Sequence, residues 1–437
     1  MTANLTPPEP DYRFSLFTAG TVAGEASAQT AGWLEAAAFG FHQSAPTPQH
    51  MARTAGVFAS DGRVLTAAYA VSRPPSAWEP SRPVATYGTF VKPLNVGGGG
   101  SLDAHLIASV TVRSNHRRRG LMRRLITDDL RRAREDGRAV AALSAMEATI
   151  YGRFGFGAAT FSRRVEVDTS DRFHLTVAPV GSVEITDPAT LLELAPTLFD
   201  QFHSQTPGSV QRPASYPSKI AGIWAEDEDE PDPSTRVALH YDPAGRVDGY
   251  VAYKVLAWEI EPHTIHVVDL VWTSQDAYLG LWDYLASVDL VTRVTWGHAS
   301  MTDVLPWAMA DRRGFKVVGE QDDLWLRVLD PVVALQARGY EADGDVRIAL
   351  TDPLAIADGV YTLSVRNGKA TVTREPATAS GVDVSMDISA LSALFLGGVR
   401  ASVLARAGQV VPTSPAALDA LDAVLVPRES PLCLTHF

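Results

Sequence analysis

The chain has 437 residues, a net charge of −12 and a single cysteine, Cys433. Such a length divides into two or three domains at about 150 residues each. The acidic balance disfavours polyanionic partners such as nucleic acid and suits cationic ones, and one cysteine excludes an internal disulfide, in keeping with a reducing, cytoplasmic setting. The N-terminus lacks the basic and apolar regions of a secretion signal, and no run reaches the ~20 apolar residues of a membrane span.

Residues 1–12 are polar and proline-bearing and read as a lead-in. AGWLEAAAFGF at 31–41 has helical spacing, with Trp33, Leu34, Ala38 and Phe41 on its inner side. Trp33 and Phe41 serve either as core or as a wall of a substrate pocket. Residues 56–59 and 63–70 read as strands joined at Asp61-Gly62, a hairpin signal. Strands follow at 85–92 and 102–112, and glycines 97–100 permit a tight, mobile loop between them.

The next stretch holds the sharpest chemistry. Val110, Thr111 and Val112 alternate as a half-buried strand does. A loop with Arg117, Arg118, Arg119 and Gly120 leads into an amphipathic helix carrying Leu121, Met122, Leu125, Ile126 and Leu130 on one side. A helix N-terminus presents free N–H groups and a positive dipole end, so it stabilises an anion. Gly120 lets a phosphate oxygen approach the backbone, and arginine forks match phosphate geometry. A pyrophosphate carrier is the natural ligand. Acidic residues interrupt the basic run, which disfavours nucleic acid, and Arg131, Arg132 and Arg134 read as a solvated face. A strand at Val140–Leu143 leads to Tyr151 and the glycines Gly152, Gly155 and Gly157.

From 165 the order of hairpin, strand, helix and strand repeats. A helix is expected at 191–202 and an acidic loop at 226–230. Strands are expected at 236–241, 250–256 and 265–272, then a helix at 277–289. The turn after Val271 reads WTSQDAY, without the arginines or glycine of the first copy. On physical grounds it should not hold a pyrophosphate. After Asp330-Pro331, a boundary signal, a helix at 331–338 precedes strands at 346–350, 359–366 and 370–375. Asn367-Gly368 is a hairpin turn. Val384, Met386 and Ile388 keep a period of two. Ser389 can cap a helix at 390–396, and Ser414-Pro415 opens another at 416–425. The last residues, PLCLTHF, are apolar and aromatic, as though they dock.

The string VTV…HRRRGLM…IYGRFGFG resembles the Eis (enhanced intracellular survival) family of aminoglycoside acetyltransferases, within the GCN5-related N-acetyltransferases, and the resemblance extends over the whole chain. It implies an α/β and α+β architecture of three parts: an acetyl-CoA-binding acetyltransferase domain at 1–164, a degenerate copy at 165–329, and a sterol-carrier-like domain at 330–437. It implies acetyl-CoA held by Val110, Thr111 and Val112, by Arg118, Arg119, Gly120, Leu121, Met122 and Arg123, and by Met146 and Glu147, where Met146 departs from the family's usual serine. Tyr151 is then the acid for the leaving thiolate, whereas read from the residues alone it is a core aromatic with its hydroxyl paired. The Phe437 carboxylate is the base or an anchor for the cationic amine; otherwise the tail is a terminal strand packed on its own domain. Acceptors are expected to be aminoglycoside-like polyamines, with protein lysines, small amines or a non-catalytic acyl-CoA or lipid carrier as alternatives. The family implies hexamers. Scattered histidines and the lack of Cys/His spacing give no support for a metal.

Overall fold

The computed structural model describes residues 12–72, 74–78, 81–224, 230–257, 259 and 261–437. Residues 1–11 of the expected lead-in and 226–229 of the expected acidic loop lie outside them. The chain separates into two compact units, the first built from residues up to 91 with 105–133, the second from 92–104 and most of the rest.

In the first unit, β1 (Tyr12–Thr18) pairs antiparallel with β2 (Val64–Ala70), which pairs antiparallel with β3 (Ala85–Gly97), and β4 (Gly100–Val112) follows by a hairpin. Two helices precede β2. Ser27 caps α1 (Ala28–Gly40), and Thr47 caps α2 (Pro48–Ser60), where Pro48 fills the first helical position as its missing N–H allows. Residues 56–59 are therefore the last turn of a helix, not a strand, and Asp61-Gly62 ends α2 rather than turning a hairpin; Gly62 takes the left-handed φ of 64°. Four apolar residues cannot distinguish a period of two from 3.6, whereas the Thr-Pro start could have decided it.

Helix α3 (Leu121–Glu135) buries Leu121, Leu125, Ile126, Leu130 and Ala133, together with one acid, Asp129. Asp129 accepts from Tyr87 Oη at 2.9 Å and Arg132 Nη2 at 2.5 Å, and pairs with His105 Nε2 at 2.7 Å. Burial alone would raise its pKa, but His105, Arg132 and Tyr87 outweigh burial and hold it below the ordinary value. Its stabilising contribution is thus complete above its unfolded pKa, near 4, and is lost as pH falls through the lower folded value. An Asp129→Asn variant is expected to be less stable at neutral pH and to lose less of its remaining stability on acidification. Urea melts at pH 7 and pH 3 measure this, and equal acid sensitivity of the two proteins would contradict it.

The second unit contains β5 (Val140–Leu143), α4 (Ala148–Tyr151), β6 (Gly157–Ala158), β7 (Phe161–Asp168), β8 (Ser182–Thr186) and α5 (Leu191–Gln205). Next come α6 (Tyr216–Ile220), β9 (Arg236–Tyr241), β10 (Val247–Val255), β11 (Thr264–Trp272), α7 (Gln275–Ala286), β12 (Arg293–Ser300), β13 (Phe315–Asp322) and β14 (Trp325–Val328). One sheet has the order β8-β9-β10-β11-β12-β7-β13, in which β11 and β12 run parallel and are joined through α7. Strand β14 leaves this sheet and pairs antiparallel with both β5 and β6. The end of the second repeat thereby completes the strands around Tyr151.

Helix α8 (Pro331–Ala337) opens the last region, whose sheet combines β15 (Gly344–Thr351), β16 (Gly359–Arg366), β17 (Lys369–Glu375), β18 (Val384–Asp387) and β19 (Val410–Pro412) in the order β17-β16-β15-β18-β19. Helices α9 (Ile388–Leu394), α10 (Ala401–Arg406) and α11 (Pro415–Leu425) complete it. Asp387, not Ser389, caps α9, its carboxylate accepting from Ser389 N at 2.8 Å, so Ile388 is already helical. Ser414 caps α11 as expected. Glycines 97–100 are not a mobile loop. A Cβ on Gly98 would lie 2.6 Å from Gly339 Cα, and one on Gly100 2.0 Å from the Ala337 carbonyl, so close backbone approach demands them. Among the described residues, no helix is long and apolar enough to cross a membrane.

Candidate active site

The arginine turn grows out of an irregular strand end. Ser109 in β4 has φ of 54°, and its carbonyl accepts from Thr86 Oγ1 at 2.9 Å. A left-handed residue inside a strand interrupts the pleat just before Val110, Thr111 and Val112. Thr111 is buried, with its hydroxyl 2.7 Å from that of Thr86, and only a glycine fits opposite it: a Cβ on Gly40 would lie 2.4 Å from Thr111 Cβ. This packing fixes the strand from which the turn departs.

Beyond a single turn at Ser114–His116, Arg118 (φ 63°) and Gly120 (φ 78°) are both left-handed, and α3 starts at Leu121. The left-handed Gly120 followed by the right-handed, helical Leu121 turns successive N–H groups toward one point, an arrangement that suits an anion. Arg119 Nη1 donates to Tyr12 Oη at 3.2 Å, and Tyr12 Oη lies 2.9 Å from His116 Nδ1. Partial burial and the charges of Arg119 and Arg113 hold His116 below its ordinary pKa, as a positive local potential would. Among the described residues, Arg118 and Arg123 have no acid partner, and both are exposed. Their guanidinium forks remain available to a phosphate. Leu121 is buried and Met122 half-buried, so these two hold the helix down.

The equivalent turn of the second repeat is closed. Ser274 caps α7, accepting from Ala277 N at 3.0 Å and donating to Asp248 Oδ2 at 2.7 Å, and Asp276 puts a negative charge in the first turn. An anion there would meet a capped, acidic helix end.

Tyr151 ends α4 and stacks edge-on against Phe156, ring centroids 6.0 Å apart. Burial raises its pKa above the ordinary phenol value, and the Glu147 carboxylate raises it further. Met146 and Glu147 precede α4, and both are exposed. Gly152 has open space around its Cα, but the other two glycines are demanded by packing. A Cβ on Gly155 would lie 2.7 Å from Arg327 Nε, and one on Gly157 2.2 Å from the Ser389 carbonyl. Ser392 Oγ donates to the Gly155 carbonyl at 3.0 Å and accepts from Val328 N at 3.0 Å. Strand β14 and helix α9 thus brace the segment that follows Tyr151. Arg327, which does this from full burial, was visible in the sequence only as one charge inside the apolar run WLRVL.

The tail docks, though not as a strand. Leu432 and Leu434 join the core packed against β7, β11 and β12, and Thr435 Oγ1 donates to the Val210 carbonyl at 2.6 Å. Tyr216 Oη donates to the Leu434 carbonyl at 3.0 Å and accepts from His436 N at 3.1 Å. Tyr216 is itself stacked under Arg212, which makes a two-pronged pair with Asp269 at 2.7 and 2.8 Å. No motif marks this anchor in the sequence. Burial pushes the Cys433 thiol up to about 12, so it is a packing residue rather than a nucleophile. Trp33 is 1% exposed, its indole N–H donating to the Thr66 carbonyl at 2.9 Å, and its ring has no open face. It belongs to the core of the first unit with Phe58 and Leu65. Phe41, at the end of α1, is exposed.

Known proteins match this layout. Models of the acetyltransferase (GNAT) domain match residues 31–159 and 208–328, and one of the sterol carrier protein domain matches 331–434. A Streptomyces avermitilis protein described as an uncharacterized N-acetyltransferase is 32% identical over 94% of this chain and 97% of its own length. The N-acetyltransferase Eis of Mycobacterium tuberculosis is 32% identical over 76% of this chain and 80% of its own. The chain belongs to the Eis family of GCN5-related N-acetyltransferases. The crystal structure of Eis1 from Mycobacterium abscessus is 28% identical, with a TM-score of 0.72 over 85% of this chain and 90% of that one. A GCN5-related N-acetyltransferase from Anabaena variabilis shares the fold at 20% identity, with a TM-score of 0.76 over 97% of this chain and all of that one. As an Eis-family member the chain is an N-acetyltransferase, with tandem acetyltransferase domains and a sterol-carrier-like C-terminal domain. GNAT domains take acetyl-CoA as co-substrate.

Proposed function

We propose that this protein transfers the acetyl group of acetyl-CoA directly to an amine of a polycationic, aminoglycoside-like acceptor. The observation that carries the cofactor assignment is the turn with two left-handed residues, Arg118 and Gly120, ahead of α3, set against the capped and acidic turn of the second repeat. Arg118, Arg119 and Arg123 bind the diphosphate with the N–H groups from Gly120 to Met122. Val110, Thr111 and Val112 hold the pantetheine arm through backbone groups and polarise the thioester carbonyl, and Met146 and Glu147 border the cofactor. The amine nitrogen attacks the carbonyl carbon, a C–N bond forms, the C–S bond breaks, and the thiolate takes a proton. Tyr151 supplies a hydrogen bond and then that proton. The Phe437 carboxylate receives the amine's proton through water or holds the ammonium. Phe41 borders the acceptor, and Trp33 acts only by fixing α1. The net charge of −12 favours a polycation as acceptor through steering. The division at 164 and 329, a cytoplasmic setting and a homohexamer complete the reading.

Thiol release from acetyl-CoA tests it, against aminoglycosides, lysine peptides and simple amines in separate reactions. Turnover with aminoglycosides exceeding the other classes is expected, and turnover confined to lysine peptides would replace the acceptor. Appending one glycine after Phe437 moves the carboxylate by a full residue. It is expected to lower kcat at least tenfold while leaving the melting temperature in place. Full turnover by the extended chain would remove Phe437 from the chemistry.

A further inference from the structure

The docked tail also gathers a set of groups that the transfer reaction does not use. His436 lies beside His298, ring centroids 4.6 Å apart, and both meet Asp323. One nitrogen or oxygen from each of the three lies within 4.8 Å of the others, and His298 Nδ1 is 3.8 Å from Asp323 Oδ1. Asp323 is 4% exposed. Its Oδ1 accepts from Ser162 Oγ at 3.1 Å and from Gln321 Nε2 at 3.2 Å, while its Oδ2 is buried without a hydrogen-bond partner. His298 Nδ1 and His436 Nε2 are buried without one as well. Buried polar atoms are paired almost everywhere in folded proteins, so three orphans on three adjoining side chains call for a common partner.

We propose that His298, Asp323 and His436 bind one divalent transition-metal ion of the zinc class. Two imidazoles and a carboxylate are the donor set that zinc, cobalt and nickel prefer, whereas magnesium and calcium take oxygen. A ligating imidazole must be neutral. Each imidazole offers a ring nitrogen, His298 Nδ1 and His436 Nε2, that hydrogen-bonds to no other group. Ser162 and Gln321 are placed as outer partners that orient the carboxylate. Bonds of about 2.0–2.2 Å put tetrahedral ligands roughly 3.4 Å apart, so the side chains close by about 1 Å on binding. His298, whose side chain is 27% exposed, has room to make that movement. The ion would leave a position open and would tie the penultimate residue to β12 and to the turn between β13 and β14. It is a clamp on the tail, and it stands or falls independently of what Phe437 does. The three residues are far apart in the sequence, which is why spacing gave no hint of them.

The test uses the full-length protein, stripped with chelator and freed of thiols and acetyl-CoA. Calorimetric titration with Zn²⁺ is expected to show one ion per chain, Co²⁺ to give visible ligand-field bands, and Zn²⁺ to raise the melting temperature. His298→Gln, Asp323→Asn and His436→Gln keep the shape of each side chain and are each expected to weaken binding by at least about tenfold. His42→Ala, at an exposed histidine, should leave binding as it is. Wild-type protein that takes up no Zn²⁺ at micromolar concentration, or variants that bind as tightly as the wild type, would overturn the proposal. A melting scan of each metal-free variant separates lost ligands from lost folding.

Discussion

Replacing Asp352 by alanine is expected to cost about 3–5 kcal/mol of folding stability, the loss typical of one partner removed from a buried ion pair. Arg327 is 0% exposed, with its Nη2 2.5 Å from Asp352 Oδ2 and its Nη1 2.7 Å from the Val328 carbonyl. Burial draws its pKa down and Asp352 counters this, so removing the carboxylate strands a positive charge among Ile388, Gly155 and β14. The same carboxylate accepts from Leu354 N, Ile356 N and Ala357 N at 2.9–3.0 Å, so those donors lose their partner too. Urea unfolding measures the loss directly. The double replacement Arg327→Met with Asp352→Leu removes the charge and its partner together, and it should recover much of the stability. Because Gly155 packs on the Arg327 guanidinium, the single variant should also loosen the segment after Tyr151, so kcat should fall more than KM for acetyl-CoA rises. A loss below about 1 kcal/mol, the scale of an exposed pair, would mean that the guanidinium finds water.

Local pattern made much of this legible. The strand through 110–112, the turn at Arg117 to Gly120, the amphipathic α3, the Ser414 cap and the Asn367-Gly368 turn are all local signals, and each is where the sequence puts it, although the strand buries Thr111 rather than the flanking valines. At 56–59 the period is too short to decide between strand and helix, and Ser389 lies inside the helix that Asp387, two residues earlier, caps. What no local signal reveals is contact between distant segments. The roles of Gly155 and Gly157 depend on Arg327 and Ser389, and the tail's seat depends on Tyr216 and Val210. Strand β14 is short and unremarkable in sequence, yet it pairs directly with β5 and β6, from which the strands of the other sheet separate it along the chain. For two of the three glycines of IYGRFGFG, Gly155 and Gly157, the close neighbours are Arg327, Ile388 and Ser389, far along the chain.

Tyr151→Phe is expected to lower kcat by about 10²–10⁴-fold, the usual contribution of a positioned proton donor, with KM for acetyl-CoA little changed. That range corresponds to roughly 2.7–5.4 kcal/mol of transition-state stabilisation. The ring's contact with Phe156 survives the change, so the loss isolates the hydroxyl. Burial and the Glu147 charge both raise the phenol, which keeps it protonated throughout the working range. The same shift makes complete transfer to a thiolate, whose conjugate thiol has a pKa near 8.5, uphill. In the proposed mechanism Tyr151 would therefore act first as a hydrogen-bond donor to the departing sulfur and give up its proton late. The sign of the pH dependence follows. Wild-type kcat should show no descending limb from this group below about pH 10, the ordinary phenol value. Glu147→Gln removes one of the two raising influences, so it should bring the alkaline limb down toward that value. Steady-state thiol release from pH 6 to 10.5 checks both. A phenylalanine variant that keeps a tenth or more of the wild-type kcat would return Tyr151 to the status of a packing aromatic.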